Sequence, residues 1–165
     1  MKKVAVIMGS ASDLAVAEKA CDRLASLGIE YEVHVYSAHR TPAEAREFVV
    51  NAEKNGFGVI IALAGMAAHL AGALAAGCVL PVIGVPVKSK NLDGVDALLS
   101  TVQMPTGIPV ATVAIDGAAN AALLAAEILA LSDSALSEKL KAARAAESAA
   151  VLEKDREICE KFKLK

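Results

Sequence analysis

The stretch VAVIMGSASD, residues 4–13, joins an apolar run of strand length directly to a turn of small and polar residues. We predict a buried strand over Val4–Met8, a turn over Gly9–Asp13 and then a helix that ends near Leu27. Outward from this unit, apolar runs and helical patterns keep alternating along the chain. Such alternation is typical of a parallel sheet with helices on both faces.

The remaining elements follow the same order. Further strands are predicted at Ile29–Tyr36, Val59–Leu63, Pro81–Val87 and Val110–Ile115. Further helices are predicted from Thr41 to Asn55, after Ala64–Met66, and over Leu92–Val102, Ala118–Leu131 and Ala135 to about Phe162, the last charged and amphipathic. Thr41–Glu44 has the pattern of a capping box with Pro at the first helical position. We therefore predict a three-layer αβα, flavodoxin-like fold, doubly wound around a five-stranded parallel sheet, with a long C-terminal helix.

The composition predicts one domain with more apolar surface than its own core needs. The chain has 165 residues, of which 55% are hydrophobic and 3% aromatic, and this length fits a single domain over residues 1–165. Residues 55–87 contain no Asp, Glu, Lys or Arg, but Gly and Pro interrupt them too often for a membrane-spanning helix. We therefore expect a homo-oligomer, with an α/β core at about 1–131 and a helix at about 135–163 that packs on a neighbouring subunit.

The charges argue against two kinds of partner. Seventeen basic and 19 acidic residues give a net charge of −2, which would attract neither nucleic acid nor an anionic membrane surface. The three cysteines are far apart and lack metal-site spacing, which favours free thiols in a reducing compartment. The chain also opens on a strand pattern rather than on a secretory leader. We expect a cytoplasmic protein.

Two turns carry polar groups to the edge of the sheet where ligands bind in doubly wound folds. The first, Gly9–Asp13, offers hydroxyls and a helix N-terminus to a phosphate, although Ser and Asp are also ordinary helix caps. The second, Ser37–Pro42, places His39 beside Arg40. A histidine can move a proton near neutral pH, and an arginine can hold a phosphate or a carboxylate.

A third turn, Ala64–Gly72, is built almost entirely from residues with little or no side chain. Small residues can line a dry pocket for a small apolar molecule, and they can equally serve tight helix packing. On this apolar face, His69 is expected more often to be a core histidine than a catalyst. His34 lies within a predicted strand, and we expect it to be structural.

The chain resembles class I 5-(carboxyamino)imidazole ribonucleotide mutase of bacterial purine biosynthesis from about Val4 to Leu131. The resemblance is carried, in order, by GSASD (9–13), SAHRTP (37–42), AGMAAHL (64–70), PVIGVPV (81–87), LDGVDALLSTVQMPTGIP (92–109) and NAALLAAEILA (120–130). It implies an isomerase that moves a carboxylate from an exocyclic amine to ring carbon 4, without metal, ATP or biotin. It also implies a homo-octamer whose active sites combine residues of neighbouring subunits.

The resemblance further implies roles for individual residues. His39 would transfer the proton, and His69 matches the family's histidine in the third turn. The ribonucleotide would be bound by Ser10, Asp13 and Arg40, with support from Ser12 and Ser37. Carbon dioxide would be enclosed by the AGMAAHL loop, with Gly65, Ala67 and Ala68.

Two positions depart from the family pattern. The family commonly has Pro at Ala71 and often Gly at Met66, and this chain is shorter than many relatives around Asp116–Gly117. Neither change removes a chemical group, so they bear on loop rigidity, pocket width and rate rather than on the type of reaction.

Two alternatives remain open at this point. A class II relative carboxylates aminoimidazole ribonucleotide directly with carbon dioxide, but Arg40 and the AAHL sequence favour the mutase. A non-catalytic flavodoxin-like module is the second alternative. A phospho-receiver would need an Asp where Leu63–Gly65 stand, and a flavin carrier usually stacks aromatic residues that the three turns lack.

Overall fold

The computed structural model describes residues 1–163, and within them a five-stranded parallel sheet lies between layers of helices. The strands are β1 (Lys3–Met8), β2 (Tyr31–Val35), β3 (Phe57–Gly65), β4 (Val82–Val87) and β5 (Ala111–Thr112). The helices are α1 (Leu14–Leu27), α2 (Pro42–Asn51), α3 (Leu70–Ala75), α4 (Val95–Val102), α5 (Ala118–Ala130) and α6 (Ser134–Phe162). Short 3-10 turns cover Ala11–Asp13 and Leu92–Gly94.

The strand order, β2-β1-β3-β4-β5, confirms the predicted doubly wound sheet. The order reverses between β1 and β3, which is the position where such sheets bind ligands. Met8 of β1 pairs with Leu63 of β3, and Gly65 of β3 pairs with Val87 of β4. These three strands therefore end close together on one edge of the sheet.

The central strands bury both of their faces, which explains their continuous apolar sequences. Val4 and Val6 of β1 pack towards α1 and α5, whereas Ala5 and Ile7 pack towards α2 and α3. The helix α5 fits closely over the first face because its buried residues are mostly small: Ala118, Ala121, Ala122, Ala125, Ala126 and Leu129. Part of the alanine-rich composition is thus accounted for by packing within the chain.

The start of α2 agrees with the sequence, but the predicted capping box is wrong. Pro42 occupies the first turn of the helix and Thr41 is its N-cap. The Thr41 hydroxyl, however, accepts a hydrogen bond from the Ser37 amide (2.8 Å) and donates one to the Ser37 carbonyl (3.2 Å). Because this hydroxyl closes the preceding turn, it is used to shape the loop rather than to cap the helix.

Two elements end earlier than predicted, α2 and β5. The helix α2 ends at Asn51, and turns lead from there to the start of β3. The strand β5 has two residues instead of the predicted Val110–Ile115. It ends early because Asp116 adopts a left-handed conformation (φ 56°) and its amide donates to the Pro86 carbonyl (2.8 Å), which turns the chain across the end of β4.

The long helix α6 begins one residue before the predicted start. Its N-cap is Asp133, whose side chain accepts from the Leu136 amide (3.0 Å). Leu136 is buried against the core, whereas Val151 and Phe162 further along are 68% and 74% exposed. The apolar residues of its second half therefore face away from this subunit. Among residues 1–163, the structure has no helix that combines the length and the apolar character needed to cross a membrane.

Candidate active site

A cavity of about 530 Å³ opens at the carboxyl ends of β1, β3 and β4. The three turns singled out in the sequence all line it, so their predicted meeting at one mouth is confirmed. The predicted site residues that line it are Ser10, Ser12, Asp13, Ser37, His39, Arg40, Gly65, Ala67 and His69. Ala68 is not among the lining residues: it is 1% exposed and lies in the core beneath the loop.

The hydroxyl groups of the first turn lie at the cavity, and one of them also caps the 3-10 turn before α1. The Ser10 hydroxyl oxygen accepts from the Ser12 amide (3.3 Å) and lies within hydrogen-bond distance of the Ser12 hydroxyl (2.9 Å). Ser10 thereby caps the 3-10 turn that leads into α1. The capping and the ligand-binding interpretations of this turn are compatible, because the same hydroxyls border the cavity beside a helix N-terminus.

Asp13 forms a buried acidic group at the end of this turn. It is 7% exposed, and its carboxylate accepts from the Ser12 hydroxyl at 3.3 Å. Burial raises the pKa of Asp13 above its ordinary value, because loss of water disfavours the charged form, and the charge of Asp116 adds to the increase. A ligand hydroxyl that donates a hydrogen bond to this carboxyl would compensate for the water that the carboxyl has lost.

The second turn is organised around one serine. The Ser37 hydroxyl oxygen accepts from the amides of His39 (3.4 Å) and Arg40 (3.2 Å). The Arg40 guanidinium donates to the Gly9 carbonyl at 3.3 Å, which holds it beside the first turn. Ser37 thus shapes the loop that presents His39 and Arg40 to the cavity.

Two histidines from different turns form a pair in the cavity wall. His39 Nε2 lies 2.8 Å from His69 Nδ1, and the two rings meet edge to face at 73°. In this hydrogen bond one nitrogen donates and the other accepts, so a single proton lies between the rings. The pair can therefore pass a proton to a ligand or receive one.

The structure corrects the expectation that His69 is a core histidine. Its neighbours Ala68 and Leu70 occupy the buried positions, and His69 lies on the exposed side, just before α3 begins. His34 behaves as a structural residue. Its ring stacks on Tyr36 at 5.2 Å and packs against Phe48 at 4.8 Å, in contacts that join β2 to α2.

The third turn brings backbone close to the cavity. Gly65 ends β3, and a Cβ added there would lie 3.2 Å from the Val87 carbonyl oxygen. Met66 follows in a left-handed conformation (φ 52°) and also lines the cavity. This backbone conformation is unfavourable for a side-chain-bearing residue by about 1–2 kcal/mol, which gives a physical reason for the glycine that the resemblance associates with this position.

A fourth turn contributes residues that the sequence analysis missed. Lys88 and Ser89 follow β4 and line the cavity. The Lys88 amide donates to the Asp116 carboxylate (2.9 Å), and its ammonium lies 3.0 Å from the Asp93 carboxylate. One signal was present: Lys88 is the first charged residue after the charge-free stretch 55–87 and directly follows a predicted strand.

The last question about the site is which charged and metal-binding groups it contains. Across residues 1–163, no three His, Cys, Asp or Glu side chains are grouped closely enough to hold a metal ion. The cavity itself contains one buried carboxyl, one guanidinium, one ammonium and two hydrogen-bonded imidazoles.

Together, the fold and the site define a class of protein: a doubly wound α/β protein with a histidine pair, an arginine and a lysine in the cavity at its switch point. The chain belongs to the AIR carboxylase family, whose sequence model matches residues 3–150.

Similar proteins agree in sequence and in structure. The chain is 59% identical over 141 residues to the N5-carboxyaminoimidazole ribonucleotide mutase of Pyrococcus abyssi, covering 86% of this chain and 81% of that protein. It is 53% identical over 153 residues to the mutase of Escherichia coli, covering 92% and 90%. The crystal structure of Treponema denticola PurE superposes with a TM-score of 0.86 at 32% identity, covering 93% and 96% of the two chains.

Proposed function

We propose that the protein is an isomerase that converts N5-carboxyaminoimidazole ribonucleotide to 4-carboxy-5-aminoimidazole ribonucleotide in purine biosynthesis. The observation that carries the proposal is the His39–His69 pair, with nitrogens 2.8 Å apart, in the wall of the switch-point cavity. Relatives with 51–59% identity over most of the chain are named for this mutase activity, and the pair supplies the proton transfers that it needs.

In the proposed reaction, the bond between the exocyclic nitrogen and the carboxylate carbon breaks and releases carbon dioxide. The nitrogen takes a proton from His39 and becomes the free amine. Ring carbon 4 then attacks the carbon dioxide, and its hydrogen leaves as a proton to His39. The protons balance over the cycle, so one histidine serves first as acid and then as base, with His69 hydrogen-bonded to it.

The other cavity residues fit the two ends of such a substrate. Arg40 and the hydroxyls of Ser10 and Ser12 would bind the phosphate, since they surround the helix N-terminus. Asp13 would accept from a ribose hydroxyl. These contacts are remote from the reacting carbon and would orient the imidazole ring.

The opposite side of the cavity would enclose the carbon dioxide. There Gly65 and Ala67 offer backbone and little side chain on either side of Met66, and Ala68 supports the loop from below. Free carbon dioxide that escapes is lost to the reaction, so a site with little water is useful at this step.

A substrate-discrimination assay tests the proposal. The protein would be offered the carbamate in one reaction, and aminoimidazole ribonucleotide with bicarbonate in another. We expect fast product formation from the carbamate. Fast product from the second mixture and none from the first would replace the mutase by the direct carboxylation of the class II alternative. Failure with both substrates would favour a non-catalytic module.

We also propose that the protein works as a cytoplasmic homo-octamer whose sites are completed by neighbouring subunits. Support comes from apolar side chains that are exposed on α4 and on the turn before it. They recur at helical spacing and are Leu92, Val95, Leu99 and Val102. The loop that leads into α4 begins at the cavity, where Lys88 and Ser89 line the wall. The exposed apolar residues of the second half of α6 are Val151, Leu152, Ile158 and Phe162, and this helix would pack on a neighbour.

Light scattering combined with activity measurements tests the assembly. We expect the mass of eight chains at working concentration and a loss of activity on dilution to monomer, because the apolar surface and the shared sites would then be open to water. A fully active monomer would contradict the proposal. Cell fractionation would test the location.

A further inference from the structure

The two cations of the cavity come from opposite sides of β3. Arg40 follows β2 and is held by the Gly9 carbonyl, at the end of β1. Lys88 follows β4, on the other side of the switch point. Because β3 lies between β1 and β4, two strand spacings, or about 10 Å, separate the strand ends beside which the two cations lie. A ligand lying across the strand ends would meet one cation near each of its ends.

The position of Lys88 is set by the pairing of β3 with β4. Val87 is the register partner of Gly65, so Lys88 comes directly beside the Gly65–Ala67 segment. The hydroxyls of the first turn and Arg40 lie on the far side of this segment. Lys88 is therefore at the end of the cavity that the proposed function assigns to the transferred carboxyl group.

The backbone of Lys88 is anchored while its side chain is free to exchange partners. Its amide is held by the Asp116 carboxylate at 2.9 Å. Its ammonium is paired with Asp93 at 3.0 Å, but the two side chains are 59% and 79% exposed. An ion pair this exposed is weak, so a carboxylate entering the cavity can replace Asp93 as the partner of Lys88.

We propose that Lys88 binds the carboxylate of the imidazole ribonucleotide and makes the site selective for carboxylated over uncarboxylated ligands, an inference that rests on the proposed function. Phosphate and ribose contacts are common to both kinds of ligand and cannot distinguish them. A cation at the carboxylate end can, because its charge-assisted hydrogen bond is formed only with the carboxylated molecule.

The test compares the binding of two ligands by calorimetry. One is the product, 4-carboxy-5-aminoimidazole ribonucleotide, and the other is aminoimidazole ribonucleotide, which lacks the carboxylate. We expect Lys88→Met to weaken product binding about 10-fold and to leave the affinity for aminoimidazole ribonucleotide unchanged. Equal weakening of both ligands, or of neither, would overturn the proposal.

Three further variants make the result specific. Lys90→Met removes a charge of the same type from the same loop at an exposed position outside the cavity lining, and it should change neither affinity. Lys88→Arg keeps the charge and should retain the preference for the product. Asp93→Asn removes the competing carboxylate and should strengthen product binding about 2-fold. An unchanged affinity in this last variant would contradict the exchange of partners.

The same titrations separate this inference from the proposed function. If the unaltered protein binds neither ribonucleotide, the proposed function fails. If it binds both, turns over the carbamate and is unaffected by Lys88→Met, the role of Lys88 alone fails. Steady-state kinetics gives a second readout: Lys88→Met should raise KM for the carbamate without lowering kcat, because the contact stabilises the bound carboxylate and is already lost when the carboxylate becomes neutral carbon dioxide.

Discussion

The third turn makes a quantitative prediction about two neighbouring residues. Met66 has φ 52°, whereas Ala67, the next residue, has an ordinary negative φ. At position 66 we compare two variants, Met66→Ala and Met66→Gly. Relative to Ala, Gly avoids about 1–2 kcal/mol of left-handed strain but costs about 0.5–1 kcal/mol of chain entropy. At the second position only the entropic cost remains. Met66→Gly should therefore be more stable than Met66→Ala by about 0.5–1 kcal/mol, whereas Ala67→Gly should be less stable than the unaltered protein by a similar amount.

Thermal unfolding at one fixed protein concentration measures both differences. For a chain of this size, about 1 kcal/mol corresponds to about 2–4 °C in Tm. Gly and Ala at position 66 both lack the Met side chain, which is 62% exposed, so its packing does not enter the difference between the two variants. The reasoning is refuted if Met66→Gly has a lower Tm than Met66→Ala, as Ala67→Gly is expected to have relative to the unaltered protein. The left-handed conformation at Met66 would then contribute no strain.

Three predictions concern the polar groups of the cavity. His39→Asn should lower turnover about 10²–10⁴-fold without loss of the circular dichroism of the fold; near-normal activity would exclude His39 as the proton-transfer residue. His69→Asn should lower turnover less, about 5–10-fold, since it alters one hydrogen bond to His39; a loss as large as that of His39→Asn would show a direct role. Asp13→Asn should weaken ribonucleotide binding yet raise stability at neutral pH. Because the pKa of Asp13 is raised in the fold, its contribution to stability is complete below its ordinary pKa and is lost as the pH rises through the raised value. Urea titrations at several pH values measure how the free energy of unfolding changes with pH, and this change should be smaller in the variant.

The order of elements was predictable because it follows from local patterns. Alternating apolar runs and helical segments indicated a parallel sheet, and Pro42 marked the start of α2 correctly. The ends of elements were less predictable. The strand β5 is short because Asp116 bonds to the end of β4, and α2 has no capping box because Thr41 closes the turn at Ser37. In both cases a hydrogen bond formed by a nearby turn outweighed the local pattern.

The candidate site was predictable to the extent that its residues sit in recognisable turns. His39 and Arg40 could be selected because they follow a predicted strand and precede a helix start. His69 was harder, because an apolar segment gives no indication of which of its residues faces outward. Ala68 and His69 are adjacent, yet one is buried in the core and the other faces the cavity.

The sequence by itself determined the fold class, the edge of the sheet where the site lies and the residue types available there, since each of these depends on neighbours along the chain. Only the tertiary structure decided which side chains meet. His39 and His69 are 30 residues apart but 2.8 Å from each other, and Lys88 joins the same cavity from β4. The physical reason is the pairing register of parallel strands, which brings the ends of β1, β3 and β4 to one edge and depends on contacts between residues that are distant in the chain.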